Sequence, residues 1–354
     1  LTRSRGRSRG VTIIDVAKHA GVSPMTVSRV INGDPGVRDE VRARVGEIIS
    51  ALNYTPNLTA RSLVTSREIR IGVIYSNPSA AFMSDLLAGV FEEASARAAQ
   101  LILLKGENGK PPSREAIQGL IDSRVAGMIL APPLGESEVV GQILRAAKLP
   151  VAVVGGAARG AICVGIDNRR AAYDMTRHLI ALGHRRLGFI LGNPDQSASA
   201  ERLAGFRAAV DEEGDLDVQI VQGDYSYASG LVAGEALLAG AHPPTAIFAS
   251  NDDMAAAVVS VAHRRHLDVP ADLTVTGFDD STAATTLWPP LTTIRQPVRA
   301  LAAAALQLLI QDIRAGPVAD DDARATILDH QLIERESTAT PRSNPLPHPV
   351  RTMP

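Results

Sequence analysis

Met25, Ser28, Arg29 and Asn32 recur at i, i+3, i+4 and i+7, the spacing that gathers side chains on one face of a helix. Their chemistry suits reading a duplex. Arg29 offers a fork for a guanine edge, Asn32 and Ser28 can bond bases or phosphates, and Met25 offers apolar contact to a thymine methyl. Val27, Val30 and Ile31 fall on the other side and read as core. The competing reading is a solvated face of a small helical domain. A second constellation follows strand-like runs downstream. Ser76 follows IRIGVIY, Tyr225 comes after VQIVQ, Asn251 after TAIFA and Asp279 after LTVTGF, while Arg202 and Phe206 lie in the helix after RRLGFIL. An ionised carboxylate accepts from ligand hydroxyl or N–H donors, and a guanidinium is a rigid fork for oxygens. Phe82, Phe206 and Tyr225 offer flat faces to a sugar ring or a base. Structural roles compete: Asp279 as a turn residue, Asn251 as a helix cap, Arg202 in an ion pair, Phe206 as core.

The local signals that position the first group are strong. Thr12 caps a first helix, with Asp15 completing a capping box. Gly21 stops it, Ser23 caps a second helix, Pro24 occupies that helix's first turn, and Gly33 closes it. Two helices and a tight turn form the geometry that lays a second helix in the major groove. Val37, Val41, Val45, Ile48, Ile49 and Leu52 predict a third, covering helix. Asn57 then caps a very short helix over residues 58–64, too short to be stable alone in water. Ordered against DNA, it would make Leu63 a wedge into a minor-groove base step. Otherwise it is a linker between domains.

From Ile69 onward the segments alternate between strand and helix. Helices are expected over residues 84–99, 113–123, 136–147, 168–182, 199–213, 226–239 and 251–266, with short apolar strands between them. That order predicts parallel sheets covered by helices, in two lobes rather than one. Ligands of such sheets bind beyond the carboxyl ends of the strands, and clefts between lobes are favoured sites.

VTIIDVAKHAGVSPMTVSRVING, LNYTPN and the hinge ending at Leu63 together resemble the headpiece of the LacI/GalR (lac repressor) family. IRIGVIYSNP, DNRRAAYDMTRHLIALGHRRLGFI, ERLAGF, FASNDDMAAAVV, TVTGFDDS and LTTIRQP extend the similarity to about Glu334. The resemblance implies an all-α helix-turn-helix headpiece joined to a two-lobed, periplasmic-binding-protein-like α/β core. It also implies a homodimeric repressor that binds a pseudo-palindromic double-stranded operator under control of a small effector, a sugar or, as an alternative, a nucleobase. The expected organisation is a basic arm (residues 1–10), a helix-turn-helix domain (11–56), a hinge (57–68), an effector-binding and dimerisation core (69–336) and a disordered tail (337–354). The DNA-contacting set also takes in Thr12, Ser23, Pro24, Thr26, Tyr54, Asn57 and Ala60. By resemblance, Asp279, Asn251, Arg202, Phe206 and Ser76 match effector-contacting positions; Phe82 and Tyr225 join them. Gly155 and Ala131 depart from the family pattern, standing where several relatives carry polar contacts, so the pocket is expected to be less polar on that side.

Charge and composition agree. Through Arg70 the chain holds twelve Lys+Arg against six Asp+Glu; beyond it the balance is 24 against 32. A basic head on an acidic body focuses phosphate attraction on the helix-turn-helix. Arg3, Arg5, Arg7 and Arg9 belong either to an arm tracking the DNA backbone or to a solvated tail. Cys163 is the only cysteine, so no disulfide forms within the chain. His263 and His266 share a predicted helix face without a third ligand, and no cofactor or metal is expected. Trp288 reads as packing a lobe or a dimer face. With no signal peptide and no spanning apolar run, a cytoplasmic protein is expected, on the nucleoid when bound, with no membrane partner. Two rivals stand. A solute-binding transport protein would share the lobes but has no use for the head. An enzyme is disfavoured because neither a nucleophile elbow nor a P-loop frame occurs.

Overall fold

Thr12 starts the first helix, α1 (Ile13–Ala20), by a reciprocal cap: its backbone N–H donates to Asp15 Oδ2 (2.8 Å), and Asp15 N–H donates to its hydroxyl (3.4 Å). Gly21 ends α1 at φ 64, a left-handed geometry that costs a Cβ-bearing residue about 1–2 kcal/mol. Ser23 Oγ then accepts from Thr26 N–H at the start of α2 (Pro24–Ile31), and α3 (Asp39–Ala51) follows. Val16, Ala17, Ala20, Val27 and Val45 form the small core, flanked by Val30, Ile31, Val41, Ile48, Ile49 and Leu52. Arg42 clips the α2–α3 connection by donating to the Asp34 carbonyl (2.7 Å). The computed structural model describes residues 11–31, 34, 36–52, 69–107, 109–316 and 324–342. The chain divides into two units between Glu68 and Ile69. The arm, the hinge, Gly33 and residues 343–354 lie outside the described residues.

The second unit holds two six-stranded sheets. In the first lobe β1 (Arg70–Tyr75), β2 (Gln100–Lys105), β3 (Gly127–Leu130), β4 (Val151–Val154), β5 (Ile162–Ile166) and β11 (Arg324–Leu328) pair in parallel in the order β11-β5-β4-β3-β1-β2. Its helices are α4 (Ala80–Ala96), α5 (Arg114–Asp122), α6 (Glu138–Ala146) and α12 (Val298–Ala315). The second lobe holds β6 (Arg186–Leu191), β7 (Asp217–Gln222), β8 (Ala246–Ala249), β9 (Thr274–Asp279), β10 (Thr292–Arg295) and β12 (Gln331–Ile333), ordered β12-β10-β9-β8-β6-β7, with only β12 antiparallel. Around it lie α7 (Asn168–Ala181), α8 (Ser197–Glu213), α9 (Tyr227–Leu238), α10 (Asp252–Arg264) and the short α11 (Thr282–Thr286). Both faces of each sheet are covered by helices, so the central strands read as continuous apolar runs. Ser79, Ser113, Ser137, Asp167, Ser226 and Asn251 each cap a helix with a side-chain oxygen.

The chain passes between lobes three times among the described residues: β5 to α7, β10 to α12, and β11 to β12. The alternation expected from sequence contains none of these connections, because it lacks β5, β10, α11, α12, β11 and β12. The tail also needs correction. Ser337 is fully buried; its hydroxyl donates to the Val275 carbonyl (2.6 Å) and accepts Thr292 N–H (2.8 Å). His184 and Thr274 both bond the Ala339 carbonyl. Residues 337–342 are therefore ordered against the second lobe, whose polar strand residues find their partners there. His266 lies beyond the end of α10 at φ 59, off the helix face assigned to it with His263. Trp288 is 74% exposed and so is not packed into either lobe's core.

Candidate functional site

Several side chains expected to read a duplex lie on the surface of the head. Met25 is 67% exposed, and the Arg29 side chain is exposed, 3.7 Å from Asp34. Ser28 is half-buried, and Pro24 is exposed. Ser23 and Thr26 bond each other through their hydroxyls (2.9 Å) at the start of α2, where free backbone N–H groups attract phosphate. Thr12 is exposed as the α1 cap. Asn32, Tyr54, Asn57, Ala60 and Leu63 lie outside the described residues.

A cleft lies between the two lobes of the second unit, a placement favoured for small-molecule sites. The first lobe contributes Asn77, Ser79, Phe82, Pro132 and Gly155; the second contributes Gln196, Ala198, Arg202, Tyr225, Asn251 and Asp279. Ile166, Asn168 and Gln296 complete it from two of the interlobe connections. Arg202 is held before any ligand arrives. Its Nε donates to Asn168 Oδ1 (2.9 Å), its Nη1 to the Ser250 carbonyl (2.5 Å), and its guanidinium lies 3.5 Å from the Phe278 ring centroid. Such preorganisation lowers the ordering cost of binding.

Asp279 and Asp280 take positive φ angles, 117 and 58. Strained non-glycine backbone costs about 1–3 kcal/mol and persists only where its surroundings enforce it. Here Asp280 is the anchor, gripped by Arg295 Nε and Arg335 Nη2, each at 2.6 Å. The Asp279 carboxylate then faces the cleft and accepts from Gln296 Nε2 (2.5 Å). Tyr225 is likewise at φ 73, and its ring closes over Gly192, where a Cβ would lie 2.0 Å from the ring. A side chain at 192 would displace the Tyr225 ring.

Burial pushes the Asp279 carboxyl up to about 7, against the opposing pull of Arg202 and of the Gln296 hydrogen bond. Burial, then the nearby Asp279, also raises Asp252, which accepts from Thr293 Oγ1 and Ser281 N–H, both at 2.7 Å. A ligand that donates hydroxyls to Asp279 favours its ionised form. Its affinity should therefore rise as pH increases towards 7, by at most about tenfold per unit, and level off above. Calorimetric titrations from about pH 6 to about pH 8 test this, and a flat profile would remove Asp279 as the acceptor.

One residue pair joins the lobes at the rim of the cleft. Glu136, in the turn after β3, accepts both the Ser197 N–H (2.7 Å) and its hydroxyl (2.6 Å), a carboxylate seated on the α8 N-terminus. Burial raises the carboxyl of Asp253 at the same rim, and the neighbouring Ser79 hydroxyl opposes that shift.

Of the expected effector residues, Phe82, Arg202, Tyr225, Asn251 and Asp279 meet in the cleft. Phe206 does not: it is fully buried and stacks on Phe189 at 4.6 Å, in the core of the second lobe. It points from α8 towards the sheet while Arg202 points to the cleft. Ser76 is buried outside the cleft lining, and its hydroxyl has no partner among the described residues. Asn251 is a cap as well as a wall: its Oδ1 accepts Met254 N–H and its Nδ2 donates to the Tyr225 carbonyl. Sequence reasoning missed Asn77, Ser79, Asn168, Gln196 and Gln296. Gln196 Nε2 is buried without a partner among the described residues, so it is a free donor beside the cleft. The departure at Gly155 is visible as a wall of Gly155, Pro132 and Ile166 without polar side chains.

Comparison with known proteins agrees with this architecture. Residues 12–57 match the bacterial regulatory proteins of the lacI family, and residues 176–338 match the periplasmic-binding-protein-like domain. Catabolite control protein A of Priestia megaterium is 35% identical, over 93% of this chain and 99% of its own. The HTH-type transcriptional repressor PurR of Serratia proteamaculans is 34% identical, over 93% and 97%. Among solved structures, the lac repressor dimer bound to operator and the anti-inducer ONPF superposes with a TM-score of 0.76 at 27% identity, covering 94% of this chain and all of that one. The transcriptional regulator CelR in complex with cellobiose gives 0.68 at 30%, covering 92% and 99%.

Proposed function

The chain belongs to the lacI family of bacterial regulatory proteins, and from that premise we propose that it is a transcriptional repressor controlled by a neutral sugar bound between its lobes. It acts as a homodimer on a pseudo-palindromic operator, with two heads reading two half-sites. Its work is binding rather than turnover, carried out with the DNA in the cytoplasm. No helix among the described residues is long and apolar enough to cross a membrane.

One observation carries the sugar reading: a buried carboxylate, Asp279, and a fixed guanidinium, Arg202, line one cleft with the aromatic side chains of Phe82 and Tyr225. Sugars present vicinal hydroxyls that donate to a carboxylate and accept from a guanidinium, and apolar C–H faces that stack on aromatics. The solved lac repressor and CelR structures hold the anti-inducer ONPF and cellobiose; a nucleobase is the alternative ligand. Arg202 spends two of its N–H donors on Asn168 and Ser250, and no other cation lines the cleft among the described residues. That favours a neutral ligand over a phosphorylated one. Immobilised protein incubated with fragmented genomic DNA should retain a few fragments and release them when a neutral sugar is added. Retention that requires an added purine base would replace the sugar reading with the corepressor class.

The hinge reading rests on the sequence. With Leu63 as a wedge, Leu63→Ala should weaken binding to the operator by about tenfold or more while leaving random duplex binding within about twofold. Equal losses on both would leave Leu63 with no part in specificity.

A further inference from the structure

The interlobe cleft has a neighbour. A second cavity shares Gly155, Ile166 and Asn168 with it and extends over one face of the first-lobe sheet at its β5–β11 edge, past Cys163 and Gly165 of β5 to Ala325 and Ile327 of β11. We infer that the effector is a neutral glycoside of two joined units, with one sugar ring against Asp279 and Arg202 and the second unit in this chamber; the inference rests on the sugar reading of the cleft.

The chamber exists because side chains are missing where a strand would carry them. Gly165 pairs with Ile327 across the β5–β11 ladder. A Cβ built on Gly165 meets nothing closer than the Gly155 Cα at 4.0 Å. Glycine in a strand forfeits packing, and it commonly marks the close approach of a ligand or another backbone. Gly155, at φ 66, lines both cavities and carries no side chain to stand between them.

The lining specifies the guest. Cys163, Ile166 and Ile327 give an apolar floor, and Ile327 is left 61% exposed at its rim. The polar groups lie on the second-lobe side, at Ser197 and Glu201. Asn168 belongs to both cavities: its Oδ1 accepts from Arg202 and its Nδ2 donates to Glu201 Oε2 (3.1 Å). A ligand spanning both would therefore touch one continuous hydrogen-bonded chain. No Lys, Arg or His lines the chamber among the described residues, while Glu201 does. An anionic group there would lie beside a carboxylate without a counter-charge, which disfavours a sugar phosphate. A second pyranose or an apolar aglycone presents both the C–H face and the hydroxyls this surface takes.

The test is calorimetry on the full chain with glucose, galactose, glucose 6-phosphate, cellobiose, maltose and lactose. A disaccharide should bind at least about tenfold more tightly than its component monosaccharide. Gly165→Leu, which fills the chamber, should erase that advantage and leave monosaccharide affinity within about twofold. Gly165→Ala, a smaller plug, should cause a partial loss and guards against a folding defect in the larger variant. Equal affinity for the disaccharide and its monosaccharide overturns the inference while the cleft reading stands. So does tightest binding of glucose 6-phosphate, or a Gly165→Leu protein that discriminates as before or loses both ligands together. Absence of binding by every sugar in both proteins removes the sugar reading itself, and the chamber assignment with it.

Discussion

Replacing Asp279 with alanine should abolish the effector response while leaving DNA binding intact. The carboxylate is buried in the cleft, fixed by Gln296, and held in a strained backbone that Arg295 and Arg335 enforce through Asp280. Removing one partner of a buried, charge-assisted hydrogen-bond set costs about 2–5 kcal/mol, roughly 30- to several-thousand-fold in Kd. Alanine at φ 117 also strains the backbone, so Asp279→Asn, which keeps the shape and removes the charge, is the sharper variant. The stability effect should run the other way. The folded carboxyl stands at about 7, above its ordinary 3.8, so the folded state binds the extra proton between those values. Stability linked to this group is present below about pH 4 and is lost as pH rises through 7. Above neutrality Asp279→Asn should thus melt no lower than the parent while binding no sugar. A variant that keeps full sugar affinity in calorimetry would show that the ligand is recognised elsewhere.

The ligand can control DNA binding only through different affinities for two states of the protein. The cleft is built for that difference. Its walls come from both lobes, and Ile166, Asn168 and Gln296 stand at two of the connections between them. Glu136 on Ser197 bridges the same gap from the rim. A sugar that satisfies Arg202, Asp279 and Asn77 at once touches both lobes and biases their relative position. Coupling of about 1–3 kcal/mol between such sites is ordinary, enough for a 5- to 150-fold change in operator affinity.

What the sequence discloses follows from the range of its signals. Caps are local, so Thr12, Gly21 and Ser23 can be read directly, as can the strand ends that carry Tyr225, Asn251 and Asp279. Asn168 and Gln296 escape because they sit in connections between lobes, which no periodicity marks. Phe206 is easily misplaced because an aromatic four residues after Arg202 lies on a nearby helix face, and only packing separates the cleft side from the sheet side. Residues 337–342 read as tail because proline-rich, polar composition hides the buried demand for hydrogen bonds at Val275 and Thr292. The chamber is invisible for the converse reason: it is made by side chains that Gly155 and Gly165 do not have.

Arg29→Ala should relax base preference at one position of each half-site, at a cost of about 1–3 kcal/mol there, or roughly 5- to 150-fold per half-site. In the head the Arg29 side chain is exposed, and it pairs with Asp34 at 3.7 Å. An exposed pair of that length contributes little, about 0–1 kcal/mol, so exchanging Asp34 for a guanine edge costs almost nothing. Met25, one turn earlier and 67% exposed, faces the same way and offers apolar surface to a neighbouring thymine. The competing assignment is a grip on phosphate, and the two roles separate cleanly. If Arg29 holds a phosphate, its removal weakens binding to all duplexes alike and lowers the salt slope by about one. If Arg29 reads a base, its removal flattens a single column of the selected-site profile and leaves non-specific affinity nearly unchanged. Site selection with the parent and Arg29→Ala proteins, at two salt concentrations, distinguishes them. A profile unchanged in every column would return α2 to a merely solvated helix at this position.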